Sequence, residues 1–361
     1  MITTNFFIYQ HDQFFTTAGK STWSAPSNIA LVKYWGKKQN QIPANPSLSF
    51  TLSNCKTITS IAYQPVTNTG EFQFDFYFDN KPKEDFKPKI VKFLERIEIY
   101  CPYLKNYHFS IYSTNTFPHS SGIASSASGM SALALNIMSL EKALHPEMSA
   151  SYFYQKASFL ARLGSGSACR SIKGEIVVWG EHQDFTESSD EFGIAFPYQV
   201  HQIFKNYQDT ILLVDKGEKQ VSSTVGHDLM HNHPFAQQRF EQAHTNLSKL
   251  KTILETGNVT EFIALVESEA LTLHAMMMTS MPYFILMKPN TLQIINKIWD
   301  FRKETAIPVC FTLDAGANVH VLYPEQNKSE VLDFIEKQLA CYCQNQQFII
   351  DQVGNGAEQI Q

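Results

Sequence analysis

Four short stretches hold the side chains whose types and spacing suit chemistry on an anionic substrate. Residues 118–129, PHSSGIASSASG, place five serines and two glycines directly ahead of MSALALNIMSL, a helical pattern. A phosphate held at a helix start needs close backbone approach, several N–H donors and hydroxyls to finish its shell. Small residues allow the approach, and a helix N-terminus supplies donors and a favourable dipole. A plain serine-rich surface turn, with Ser128 as an N-cap, fits the composition equally well. AGKS at residues 18–21 ends like a Walker A loop, but Phe14 occupies the place of its first glycine, so that match is chance.

GSGSACRS, residues 164–171, adds a charge to the same theme. Gly164 and Gly166 permit a tight turn, Ser165 and Ser167 offer hydroxyls, and Arg170 offers a planar fork for carboxylate or phosphate. The stretch follows a helix and lacks a third glycine, so it is no dinucleotide loop. A helix C-cap turn with a surface arginine is the plainer alternative. SAPSNIALVKYWGKK, residues 24–38, sets Lys33, Tyr34, Lys37 and Lys38 in an otherwise apolar run. A surface strand accounts for the lysines, less well for Trp35 and Gly36 among them. FTLDAGANVH, residues 311–320, ends an apolar strand on the lone carboxylate Asp314. That residue is either a turn former bonding its own backbone or a base held in a dry site.

The elements that must position these groups mix helix and strand without regular alternation. Strand patterns end at residues 65 and 80, a helix covers 87–100, and YHFSIYSTNTFP leads as a strand into the serine-rich loop. A helix over 149–164 is expected to close on Gly164 as its C-cap, followed by the strand GEIVVWG. After residue 200 come the strand DTILLVD, helices over 234–256, 260–278 and 291–305, two strands around DAGAN, and a closing helix from 328. The expected fold class is α+β in two domains, 1–195 and 196–361.

Composition bounds the rest. The 361 residues carry 43% hydrophobic and 17% charged side chains, a globular balance. A net charge of −5 argues against a nucleic-acid partner and leaves a small anionic ligand open. Six cysteines lie at irregular spacings; Cys341 and Cys343 form a C-x-C without a second pair, so no zinc site is expected. No basic-then-apolar leader opens the chain, and no apolar run nears the ~18 residues of a membrane helix, so the expectation is a cytoplasmic enzyme.

In this order, the four stretches resemble the GHMP superfamily of small-molecule kinases and, within it, the diphosphomevalonate decarboxylases. APSNIALVKYWGKK with NPSLSFTL is similar to that family's first motif, GIASSASG to its phosphate loop, GSGSACRS to its decarboxylase-specific segment, VSSTVGH to V-S-S-T-x-G-M and DAGAN to D-A-G-P-N. The resemblance spans about residues 24–323 and implies two α+β domains with the active site between them. It implies ATP-dependent decarboxylation of mevalonate 5-diphosphate, with ATP as co-substrate, Mg²⁺ bridged mainly by phosphates and no assigned protein ligand, and a homodimer. Asp314 would meet the substrate's 3-hydroxyl, and Arg170 would hold its carboxylate beside Ser165 and Ser167. Lys33, Tyr34 and Lys37 would meet substrate phosphates or developing charge. Ser121, Gly122, Ala124, Ser125, Ser126, Ser128 and Ser223 would contact ATP. Departures from the pattern are Ala317 for proline, His227 for methionine, and LHAMMMTSMPYFILM for an F-H-A-x-C…P-P-I segment.

Overall fold

Two long strands organise the first sheet. The computed structural model describes residues 4–118, 123, 125–216 and 223–361. β1 (Gly19–Val32) and β2 (Ser47–Pro65) pair antiparallel along most of their length. β3 (Gln73–Phe78), β4 (Lys81–Pro82) and β5 (Tyr107–Asn115) extend the sheet beyond β2, with β3 parallel to β5. β6 (Ile176–Trp179) pairs with the start of β2, and β7 (Gly193–Ala195) with β6. Helices α1 (Lys87–Ile97), α2 (Ser125–Leu144) and α3 (Ala150–Gly164) share a core with this sheet through Phe93, Leu135, Phe159 and Ile111.

The second sheet has four strands, β8 (Gln208–Leu212), β9 (Cys310–Thr312), β10 (Val319–Tyr323) and β11 (Phe348–Gln352), in the antiparallel order β11-β8-β10-β9. Its helices are α4 (Ser223–Asp228), α5 (Ala236–Thr256), α6 (Val259–Met278), α7 (Pro289–Thr305) and α8 (Lys328–Phe334). One apolar cluster joins the halves, with Ile29, Leu31 and Phe50 packed among Ile211, Leu247 and Phe262. The chain then returns: β12 (Glu358–Gln359) pairs with β1.

One local expectation, the Gly164 cap, needs correction, and burial removes two of the plainer alternatives. β1 is no surface strand; it is buried continuously from Ser21 to Val32, as a strand covered on both faces must be, and Lys33 just beyond it is buried too. Gly164 is not a left-handed cap; it is the last helical residue of α3, and Ser165 after it is extended at φ −156°. What requires glycine there is space, because a Cβ would stand 2.7 Å from Met130 Sδ. The arginine after that helix end is buried rather than on the surface.

Pro26, which has no N–H to give the ladder, coincides with a register shift between Pro26 and Asn28. Such bulges re-aim the next side chains, and Asn28 is one of the groups the site uses. All six cysteines are free; Cys341 is exposed and the other five are buried.

Candidate active site

The chain leaves β1 into Lys33, whose ammonium donates to Asp314 Oδ1 at 3.1 Å. The lysine side chain is 2% exposed and the aspartate 31%, so the pair faces open space from the carboxylate side. Burial lowers the Lys33 pKa, and Asp314 opposes that fall. Asp314 follows β9 in a tight turn closed by the Gly316 N–H on its own carbonyl, 2.7 Å. The turn is therefore made by backbone, and the carboxylate is used for the lysine. Asp314 is thus partly exposed and bound to the Lys33 ammonium, a placement compatible with a reacting carboxylate.

Arg170 sits in the short turn after α3 and is 3% exposed. Its Nη1 donates to Ser47 Oγ at 2.6 Å and its Nε to Asn28 Oδ1 at 3.3 Å. Asn28 is fixed in turn by donating to Ser171 Oγ and the Ser167 carbonyl. The guanidinium carbon lies 5.6 Å from the Trp179 ring. Among the described residues Nη2 has no partner, which leaves one edge of the fork for a ligand. Burial lowers the Arg170 pKa, and Asp314 counters it electrostatically, so the two charges belong to one site. Ser165 and Ser167 flank the turn, both half-buried.

Tyr34 packs edge-on against Trp179 (4.7 Å) and tilted on His227 (4.2 Å), which brings α4 onto the Lys33–Lys37 segment. Gly226 allows the approach; a Cβ there would sit 2.5 Å from the Trp35 ring. The Gly36 N–H donates to His227 Nδ1 at 3.0 Å. Burial first, then the charges of Lys37 and Arg170, push the His227 pKa down to about 3, so the ring is neutral and its proton is on Nε2. Burial also raises the Tyr34 hydroxyl well above its ordinary value. Lys37 Nζ lies 3.6 Å from Asp228.

α2 begins at Ser125 with no acidic residue in its first turn, so nothing there opposes an anion. Ser126 is exposed and Ser125 half-buried. Both line a pocket of about 110 Å³, whose walls include Phe76, Phe78, Phe86 and Met130. Ser128 departs from expectation: it is fully buried, and its hydroxyl meets Thr57 Oγ1 at 2.6 Å. It ties α2 to β2 rather than facing a ligand, and it is not the helix cap. Ser121, Gly122 and Ala124 lie outside the described residues. Ser223 opens α4.

Several residues of the site were not visible in the motifs. Glu269 and Arg239 form a wholly buried pair (2.6 Å) around the Lys33 peptide. Asn45 donates to the Lys33 carbonyl at 2.9 Å, and His274 hydrogen-bonds the Asp314 carbonyl at 3.1 Å. The available signal was periodicity. Glu269 and His274 fall on the stripe of α6 that also carries Val266, Ala270, Leu273 and Met277, where a charge needs a partner.

Two mixed α and β halves meeting over Lys33, Asp314 and Arg170 have the arrangement of a GHMP-type small-molecule enzyme. The class narrows on comparison with known proteins. Residues 25–190 match the diphosphomevalonate decarboxylase-like N-terminal domain, and residues 210–360 the mevalonate 5-diphosphate decarboxylase C-terminal domain. The diphosphomevalonate decarboxylase of Debaryomyces hansenii is 30% identical over 89% of this chain and 84% of its own. The Staphylococcus aureus mevalonate diphosphate decarboxylase superposes with TM-score 0.81 at 28% identity, covering 96% of this chain and 99% of that one. MDDEF, solved in complex with MVAPP, AMPPCP and magnesium, gives 0.81 at 28% identity over 96% and 100%. The chain belongs to the diphosphomevalonate decarboxylase family.

Proposed function

We propose that the chain catalyses ATP-dependent decarboxylation of mevalonate 5-diphosphate to isopentenyl diphosphate, releasing ADP, phosphate and CO2. The observation that carries the reading is the meeting of buried Lys33 and Arg170 with the partly exposed carboxylate of Asp314. A carboxylate beside a desolvated cation suits proton removal from a hydroxyl, and a guanidinium with a free edge suits a substrate carboxylate.

The substrate's 3-hydroxyl is on a tertiary carbon, and hydroxide leaves poorly. Asp314 orients that hydroxyl and takes its proton as the oxygen bonds the γ-phosphorus and ADP departs. Phosphate then leaves with the C3–O electron pair, the bond to the carboxylate breaks to release CO2, and its electrons form the alkene. Arg170 holds the carboxylate until it is lost. Lys33 stabilises negative charge at the transferring group, where low dielectric strengthens it. Tyr34, Lys37, Ser165 and Ser167 border the substrate. Ser125, Ser126 and Ser223 meet the nucleotide, and the apolar pocket beside Ser125 suits its base.

Mg²⁺ accompanies ATP, as AMPPCP and magnesium occur together in the MDDEF complex. Phosphate oxygens would carry the ion, with no protein ligand assigned to it. It supplies charge neutralisation for the phosphates. We also propose a division at 195/196, a cytoplasmic setting and a homodimer; the exposed Met281, Tyr283 and Ile285 support the last. No helix among the described residues is long and apolar enough to cross a membrane.

Asp314→Asn tests the assignment. Folding and ATP binding persist while turnover falls by about 10²–10⁴. A variant keeping more than about a tenth of the wild-type rate contradicts the role.

A further inference from the structure

We infer that α6 sets the catalytic pairing, with Glu269 and His274 as positioning residues for Lys33 and Asp314; the inference rests on the catalytic reading of those two residues. Glu269 is fully buried, and its Oε2 accepts the Lys33 backbone N–H at 2.8 Å. Five residues later on the same helix, His274 Nε2 meets the Asp314 carbonyl at 3.1 Å. A carbonyl only accepts, so that nitrogen carries the proton. Burial, the largest influence, pushes the His274 pKa down to about 4 and keeps the ring neutral.

One helix therefore grips the backbone at both members of a pair that lies 281 residues apart in sequence. Five helical residues advance about 7.5 Å along a stiff rod, which fixes the spacing of the two grips. The Lys33 side is closed by Arg239 of α5, whose Nη2 donates to the Lys33 carbonyl at 2.9 Å and to Glu269 at 2.6 Å. Asn45 donates to the same carbonyl, and Asn246 to Glu269 Oε1 at 2.6 Å. With its peptide held on both sides, Lys33 has little freedom except to meet Asp314. The Asp314 turn is tied to α6 by His274.

The test uses His274→Phe, which keeps a ring and deletes the donor, and His274→Gln, which restores an N–H of similar reach. Both are assayed beside Asp314→Asn. His274→Phe is expected to lower kcat by about tenfold or more, as misplacement of a reacting group does, with both KM values unchanged within about twofold. His274→Gln recovers most of the loss. The alkaline limb of kcat also moves in His274→Phe. Lys33 faces Asp314, Glu269, Arg170, Arg239 and His274; burial lowers its pKa and Asp314 holds it up. A drifting Asp314 lets that pKa fall, so the limb moves to lower pH. If His274→Phe does not fold, His274→Asn, too short to reach the carbonyl, gives the same readout.

Wild-type kcat and an unmoved pH profile in His274→Phe, in a series where Asp314→Asn is inactive, overturn the inference. So does a loss that His274→Gln shares in full and that tracks melting temperature. An active Asp314→Asn overturns the catalytic reading, and the inference with it.

Discussion

Replacing Arg170 by lysine keeps the charge and removes the fork. In the native site the guanidinium uses Nη1 on Ser47 and Nε on Asn28, which aims its remaining edge. A lysine ammonium cannot hold both anchors and offer a paired, planar contact to a carboxylate. The loss is at least one hydrogen bond to a charged group, about 1.5–3 kcal/mol. At 1.4 kcal/mol per factor of ten, that is roughly a 10–150-fold fall in kcat/KM for mevalonate 5-diphosphate. Mg-ATP affinity, read by calorimetric titration, stays within about twofold, because no nucleotide contact assigned here involves Arg170. Leaving Ser47 and Asn28 short of a partner costs a further ~1–3 kcal/mol of stability, so the melting temperature is recorded and kinetics are run well below it. A kcat/KM within about threefold of wild type would refute a carboxylate contact through this residue, since even the lower bound of that range predicts more.

Two other perturbations follow from buried groups. His227 and His274 have folded-state pKa values of about 3 and about 4 against an ordinary 6.5. The unfolded chain binds the protons, so their stabilisation is complete above pH 6.5 and is lost as pH falls. By pH 5 each has given up about 2 kcal/mol, and denaturant midpoints at pH 5 and 7.5 should differ accordingly, with the shift reduced in His227→Met. Glu141 binds Lys156 at 2.7 Å and Tyr103 at 2.8 Å, wholly buried. Glu141→Gln leaves a buried ammonium without its counter-charge, costing about 3–5 kcal/mol in urea unfolding, while kcat of the folded enzyme is retained because none of these groups belongs to the site.

The chemistry-bearing turns were legible because each is local. GSGSACRS and DAGAN concentrate small residues where the backbone turns, and that signal survives in a single sequence. The α+β class was legible for the same reason, since each helix and strand carries its own period. What holds the turns together was not. Lys33 meets Glu269 across 236 positions and Arg239 across 206, and such pairing is set by tertiary packing. Glu267 and Glu269 in VESEA read locally like a solvated face. β1 shows the opposite failure. Its polar members, Ser24, Ser27 and Asn28, look like a surface, yet they are buried. Ser27 donates to the Ile123 carbonyl at 2.8 Å, and Asn28 anchors Arg170. Ser128 misled because an N-cap and a phosphate ligand share a residue type, and only the packing of α2 on Thr57 assigns it to neither.

The most direct test of the proposed activity counts ADP and CO2 together, in parallel reactions with mevalonate, mevalonate 5-phosphate and mevalonate 5-diphosphate. The account predicts turnover with the diphosphate alone, one CO2 released for each ADP formed, and loss of both products together in Asp314→Asn. ADP formed without CO2, or equal turnover of an unphosphorylated or singly phosphorylated substrate, would contradict it.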